Sequence, residues 1–178
     1  HNAVIKERRN GQGAEVAGVT VEGKVAYLSL VQLQAGVTWQ KSHYTRPEKW
    51  SKDSSVPAEK RIFRTPDWYG YFTATYSPVK PLNIALSGTY TGSMIVQHMK
   101  GYIPKDMAVT TPDFFDMNLK ISYDFSLYKF ITLQLNAGVQ NIFNAYQRDF
   151  DQGKERDSGY IYGPSMPRSY FAGAKLMF

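Results

Sequence analysis

The side chains that could do acid–base or nucleophilic chemistry are few in this chain. It has three histidines, His1, His43 and His98, and no cysteine. A Ser–His–Asp set can be assembled on paper from Ser42, His43 and Asp53, but a triad is defined by geometry and this spacing fixes none. Without cysteine, thiolate zinc sites and cysteine nucleophiles are excluded. The sequence therefore predicts no catalytic residue and a protein that is not an enzyme.

Metal and cofactor sites find little more support. Residues 149–153 read Asp-Phe-Asp-Gln-Gly, which resembles the start of a calcium loop. That loop needs an oxygen ligand at its fifth position and a glutamate at its twelfth, where this chain has Gly153 and Tyr160. We therefore interpret the run as a solvated loop. His98 lies near Met94 and Met99, but methionine is commonly a gap filler, so we assign no metal and no cofactor.

Aromatic side chains within long polar segments are better suited to binding a small molecule. Long loops commonly carry recognition, and we name four candidates for substrate contact: Trp50, His98, Tyr160 and Tyr162. Other aromatics fall near strand ends, as in the girdles of membrane barrels. These are Trp39, Tyr44, Trp68, Tyr69, Tyr90, Tyr123, Tyr128, Phe130 and Phe178.

The elements that must position these residues show clean alternation of apolar and polar side chains. Such alternation predicts strands at residues 31–40, 68–77, 82–91, 115–125, 131–140 and 169–178, with less regular ones at 14–22 and 4–9. Segments of about ten residues match a tilted bilayer-crossing strand and exceed the usual globular strand. We predict an all-β fold: an antiparallel up-and-down meander of about eight strands, forming a segment of a transmembrane β-barrel.

The predicted connections alternate in length. Short turns are predicted at residues 23–24, 78–81 and 126–129. Long polar connections are predicted at 42–64, 97–112 and 144–167, with a minimal loop at 10–13 on the same side. Outer-membrane barrels have short periplasmic turns and long extracellular loops, and this pattern predicts the same arrangement.

Composition fits that architecture. The chain has 178 residues, which suits one domain, and its mean hydropathy of −0.40 is compatible with strands that are apolar on one face only. The net charge of +6 is scattered, without the basic stripe that nucleic-acid binding needs, so no nucleic-acid partner is predicted. Residues 1–3 could derive from an expression vector.

Several motifs resemble the C-terminal end of TonB-dependent outer-membrane receptors. They run in order from Arg64-Thr65-Pro66 before Trp68, through residues 82–96 with Tyr90-Thr91-Gly92, to residues 140–146, 160–164 and 167–171. Gly173, Leu176 and Phe178 also match the glycine–hydrophobic–aromatic end of such barrels. Phe171 departs from the pattern, which usually has a polar residue there.

The resemblance implies that residues 1–178 are the C-terminal segment of a barrel of about 22 strands around a plug domain. It implies a bacterial outer-membrane location and energised uptake of an iron chelate, haem, cobalamin or oligosaccharide. The implied partners are outer-membrane lipid, the rest of the barrel with its plug, the small-molecule nutrient, and the TonB complex reached through the N-terminal part.

Two other interpretations remain open at this point. Eight strands suffice to close a small barrel, which would act as an adhesin or membrane anchor. A soluble β-sandwich binding module would instead bury the apolar face against a second sheet.

Overall fold

A computed structural model describes residues 13–178 of the chain, and in this range the fold is all-β. The strands are β1 (Ala14–Tyr27), β2 (Val31–Glu48), β3 (Glu59–Arg61), β4 (Trp68–Val79), β5 (Leu82–Thr91), β6 (Ile95–His98), β7 (Met107–Thr110), β8 (Phe114–Tyr128), β9 (Ile131–Gln140) and β10 (Ser169–Met177). Within the described residues, no helix has the length and apolar character needed to cross a membrane.

Seven long strands form one antiparallel meander in the order β1-β2-β4-β5-β8-β9-β10. The short β3 pairs with β2, and β6 and β7 form a separate hairpin. The prediction of an up-and-down all-β segment is confirmed. The predicted strand at 4–9 and the loop at 10–13 lie outside the described residues. Within residues 13–178, strands β1 and β10 are the two edges of the sheet and do not pair with each other.

The register places the apolar side chains of neighbouring strands opposite one another. One cross-strand row runs through all seven strands and consists entirely of apolar or aromatic residues: Val25, Leu33, Ala74, Leu86, Leu119, Val139 and Tyr170. The adjacent row on the other face is polar in five consecutive strands: Lys24, Gln34, Thr73, Ser87 and Asn118. Because a slip of one residue would exchange the faces, these rows show that the sheet has one apolar and one polar side.

The apolar face is not covered by another layer of the described chain. Val37 is 46% exposed, Leu135 43% and Leu176 54%. A sandwich would bury these side chains against a second sheet, so the sandwich interpretation has no support here. The polar face is instead linked by side-chain hydrogen bonds, such as Thr20 to Thr38 at 2.8 Å and Gln134 to Asp124 at 2.7 Å.

Several predicted boundaries differ from the structure. The turn predicted at residues 23–24 is wrong, because β1 continues to Tyr27 and the chain reverses at 28–30, with Leu28 at a φ of 51°. Strand β2 extends to Glu48, and β8 extends to Tyr128, so the adjoining connections are shorter than predicted. The long connections also contain the short strands β3, β6 and β7.

Candidate functional site

Three long loops lie together at one end of the strands, because every second connection of the meander is on that side of the sheet. We refer to residues 49–67 as the first loop, 92–113 as the second and 141–168 as the third. The structure's main buried apolar cluster lies here: Val96 from the second loop, Phe114 at the start of β8, and Tyr160 and Tyr162 from the third. Val96 is fully buried and Tyr160 is 2% exposed. The loops thus have a packed core of their own.

Each pair of loops is joined by polar contacts. The Ser51 hydroxyl donates to an Asp106 carboxylate oxygen at 2.5 Å, which links the first loop to the second. Arg64 donates through its guanidinium to the carbonyls of Gly159 and Ile161, which links the first loop to the third. Together with the contact of His98 described next, these links close a ring. We call the three joined loops the loop cluster.

His98 links the second loop to the third. Its Nε2 atom lies 2.9 Å from both carboxylate oxygens of Asp151, and because a carboxylate can only accept, this nitrogen carries the proton. The imidazole stacks on the Tyr160 ring with centroids 3.7 Å apart and planes 3° from parallel. Burial raises the pKa of Asp151, but hydrogen bonds from the Asp157 amide and from His98 outweigh it and hold the pKa below its ordinary value.

A second carboxylate orders the two tyrosines. The hydroxyls of Tyr160, at 2.7 Å, and of Tyr162 both donate to Asp149. Burial and then the bond to Asp149 raise the pKa of Tyr162 to about 12, and they raise that of Tyr160 as well. Burial alone would raise the pKa of Asp149, but the two donated bonds lower it below its ordinary value. Gln147 accepts from the Tyr162 amide and donates to the Tyr160 carbonyl, so both rings are fixed.

Two asparagines hold the ends of the third loop together. Asn141 is 3% exposed and donates from its side-chain amide to the carbonyls of Ala145 and Met166, each at 2.9 Å. Asn144 accepts from the Arg168 amide at 2.9 Å. Both asparagines have φ near +50°, a conformation that asparagine tolerates better than most residues. The two asparagines at the start of the third loop are thereby bound to the backbone at its end.

A cavity of about 680 Å³ lies against the fixed rings and is lined by the third loop alone. Its walls include Tyr146, Phe150, Tyr160, Ile161 and Tyr162. Phe150 and Ile161 are 51% and 62% exposed, although they are apolar. Exposed apolar surface in a concavity is typical of a binding site.

The structure brings three of the four predicted contact residues together. His98, Tyr160 and Tyr162 form one buried cluster, and both tyrosines line the cavity. Trp50 lies apart within the first loop, with its ring against Phe63 at 5.3 Å and its indole nitrogen 3.2 Å from the Pro57 carbonyl. That any of the four touches a ligand stays a prediction.

Other interpretations of the sequence are settled by the positions of the side chains. The prediction that residues 149–153 form a solvated loop is wrong for Asp151, which is 7% exposed and bound by His98. The set proposed on paper does not assemble, since His43 contacts Glu15 at 3.3 Å and Asp53 accepts from the Ser55 amide. In the part of the chain that the structure describes, no three His, Asp or Glu side chains converge as a metal site would require.

Sequence reasoning missed the roles of Arg64, Asn141, Gln147 and Asp149. Two of them, Arg64 and Asn141, were within motifs that the resemblance identified, but nothing in the sequence indicated their partners. Arg64 adopts a φ of 59°, an uncommon conformation for a non-glycine residue. The cluster offers fixed aromatic rings and oriented amides, features that can bind a small molecule.

Comparisons with known proteins give a structural likeness only. No family model and no curated protein matches the sequence. The fold is similar to the crystal structure of the ferric-catecholate import receptor Fiu from Escherichia coli K12 in its closed form, with a TM-score of 0.61 and 21% sequence identity. The match covers 92% of this chain and 21% of the receptor, so the chain spans about a fifth of that protein. The architecture is that of a segment of a transmembrane β-barrel.

Proposed function

We propose that residues 1–178 form the C-terminal barrel segment of a TonB-dependent outer-membrane receptor that imports a scarce nutrient. The observation that carries this proposal is the two-faced sheet, whose apolar rows are in register and whose long loops all lie at the same end of the strands. A water-soluble fold would bury the exposed valines and leucines. In a membrane barrel such side chains stay on the outer surface, because they face lipid. The similarity to Fiu over most of the chain supports the same interpretation.

In this proposal the protein lies in a bacterial outer membrane, with its short turns in the periplasm and the loop cluster outside. The outer edges of β1 and β10, which have no partner among residues 13–178, pair with further barrel strands, since an open sheet edge in lipid would leave backbone groups unsatisfied. The plug and the part that contacts the TonB complex belong to the remainder of the receptor.

The segment itself contributes barrel wall, lumen surface and part of the outer mouth. It carries out no bond-breaking step, and no nucleic acid is a partner. Among the nutrient classes, we favour an iron chelate, because the protein of similar structure imports ferric catecholate. The 680 Å³ cavity with its exposed Phe150 and Ile161 is where we place the ligand contact in this segment.

The test uses the full-length receptor expressed from its own reading frame in a host without its own iron-chelate receptors. We expect extraction only with detergent, heat-modifiable gel migration, and iron uptake that stops when TonB is deleted. A matched pair of variants then tests the cavity. Iron uptake should fall in Phe150→Ala and not in Phe143→Ala, because Phe143 is 57% exposed but does not line the cavity. Recovery of the protein from the aqueous fraction, or uptake independent of TonB, would contradict the proposal.

A further inference from the structure

A short segment of the third loop, residues 157–162, forms one wall of the 680 Å³ cavity. We call it the cavity wall. It belongs to neither a helix nor a strand, so its shape depends on the groups that hold it. Five of its six residues line the cavity: Asp157, Ser158, Tyr160, Ile161 and Tyr162.

Bonds within the third loop fix part of the cavity wall. The Asp157 carboxylate accepts from the Gly159 amide at 2.8 Å. Gln147 accepts from the Tyr162 amide at 3.0 Å and donates to the Tyr160 carbonyl at 3.1 Å. The remaining backbone contacts of the wall come from another loop.

Arg64 reaches the cavity wall from the first loop. Its guanidinium donates to the carbonyl of Ile161 at 2.8 Å and also to the carbonyl of Gly159. A planar guanidinium holds two acceptors in a fixed relative geometry, which a lysine ammonium does not. The two carbonyls flank Tyr160, so one side chain sets the direction of the segment that carries this ring.

The backbone of Arg64 is itself anchored. Its amide donates to the Ile95 carbonyl of the second loop at 2.8 Å, from a φ of 59° that few non-glycine residues adopt. Two residues later, the Pro66 carbonyl accepts from the Gln40 side chain of β2 at 3.0 Å. The guanidinium therefore extends from a segment that is bonded to both the second loop and the sheet.

The position of Arg64 separates its effect on the cavity from an effect on overall stability. Arg64 is exposed, is not among the residues that line the cavity, and is not part of the buried loop core. Exposed contacts of a charged side chain add little to the stability of a fold. The same contacts act strongly on a segment without secondary structure, and a site that is already in its binding shape binds its ligand more tightly.

We propose that Arg64 is a positioning residue for the ligand cavity, because it holds the cavity wall in its binding geometry without contacting the ligand. This inference rests on the proposed function, which places the ligand contact in this cavity. The third loop then binds the ligand, while the first loop determines the shape of the site.

The first experiment measures the cavity without a ligand, in the full-length receptor in detergent. Spin labels are attached to Ser158→Cys in the cavity wall and Ser165→Cys elsewhere in the cavity lining, both at exposed positions. We expect one narrow distribution of distances between the labels, and a broader distribution when Arg64→Ala is added. Arg61→Ala removes an exposed arginine of the same loop and is the matched control. It should keep the narrow distribution.

The second experiment measures iron uptake against concentration, from a ferric tris-catecholate and from a ferric tris-hydroxamate. Arg64→Ala should raise the half-saturating concentration by up to about fivefold and leave the maximal rate unchanged, because only receptors with the wall in place bind. Arg64→Lys keeps the charge but not the planar geometry, so it should recover only a small part of the loss. Arg61→Ala removes the same charge and should behave as the unaltered receptor.

The proposal is overturned if the distances in Arg64→Ala match those in Arg61→Ala, or if they broaden while the half-saturating concentration stays the same. Full recovery in Arg64→Lys would also overturn it, since charge alone would then suffice. If the unaltered receptor imports iron in these cases, the proposed function stands and only the role of Arg64 is rejected. If the unaltered receptor imports iron from neither complex, the proposed function fails, and this inference fails with it.

Discussion

The sheet and the loop cluster of this molecule bury their apolar residues in opposite ways. On the sheet, large apolar side chains such as Val19 at 60% and Leu176 at 54% remain exposed. In the loop cluster, Val96, Phe114 and Tyr160 are almost completely buried. The proposed barrel segment accounts for this difference by two solvents. The loops fold around a dry centre, as a small domain in water does, whereas the sheet would present its apolar side to hydrocarbon.

The largest expected effect is on the loop cluster, through a residue at the first position of β8. Phe114→Ala removes a ring that is 7% exposed from the loop core, which should cost about 3–5 kcal/mol of local stability. Hydrogen exchange should accelerate in residues 92–113 and 141–168, while the sheet amides stay protected. Phe125→Ala, farther along β8 on the opposite face and 42% exposed, is the control, because its ring contacts Tyr123 of the same strand. Equal loop exchange in the two variants would contradict a loop core built on Phe114.

A change on the apolar face tests the other half of the comparison. Leu135→Arg should destabilise the barrel in a bilayer by about 2–4 kcal/mol, because a charged side chain would then lie in hydrocarbon. Its neighbour Gln134 lies on the polar face and donates to Asp124, so Gln134→Arg should cost much less. Unfolding titrations in lipid vesicles measure both. Similar costs for the two variants would show that the assignment of faces is wrong.

Alkaline pH should weaken the loop cluster selectively. The pKa of Tyr162 rises from its ordinary 10.0 to about 12 in the folded protein, so the folded state keeps a proton that the unfolded state releases. Its contribution is complete below pH 10 and declines as pH rises toward 12, by up to about 2–3 kcal/mol. Tyrosinate absorbance and loop hydrogen exchange follow the change. Tyr162→Phe should reduce this pH dependence, and an unaltered profile in that variant would contradict the assignment.

A smaller effect is expected from the link between the first and third loops. Arg64→Ala removes bonds to the carbonyls of Gly159 and Ile161, but the arginine is exposed, so the cost should be about 1 kcal/mol. Arg61→Ala, in the same loop on β3, is a matched control. Protease cleavage of the third loop should accelerate only in Arg64→Ala, and equal rates would mean that the link does not order the loop.

The strands were predictable from sequence because alternation is a local signal. The faces follow from the same pattern, and the register confirms them. Phe171 looked out of place in the motif, but it pairs with Gly138 and its ring occupies the space where that residue has no side chain. An aromatic there covers a glycine on the partner strand, which a single strand's sequence does not reveal.

What the sequence could not provide depends on distant partners. Gly23-Lys24 has residue types that favour a turn, yet the chain reverses at Leu28, which adopts a left-handed conformation. Leucine is not among the residues that turns prefer, so the sequence did not indicate this position. His98 and Asp151 are 53 residues apart in the chain, and nothing periodic relates them. The contacts between loops arise from tertiary packing, so the candidate site emerged only as four separate aromatic and histidine residues.

The most direct test of the two-faced sheet is a site-directed spin-label scan along β9 of the full-length receptor in lipid bilayers. The 178-residue chain contains no cysteine, so no other position in it would be labelled when single cysteines are introduced at 132 through 137. Labels at 133, 135 and 137 should collide with oxygen dissolved in lipid, and labels at 132, 134 and 136 with a water-soluble paramagnetic reagent. The account would be contradicted if the accessibility to oxygen and the accessibility to the water-soluble reagent varied together along β9, or if neither showed a period of two residues.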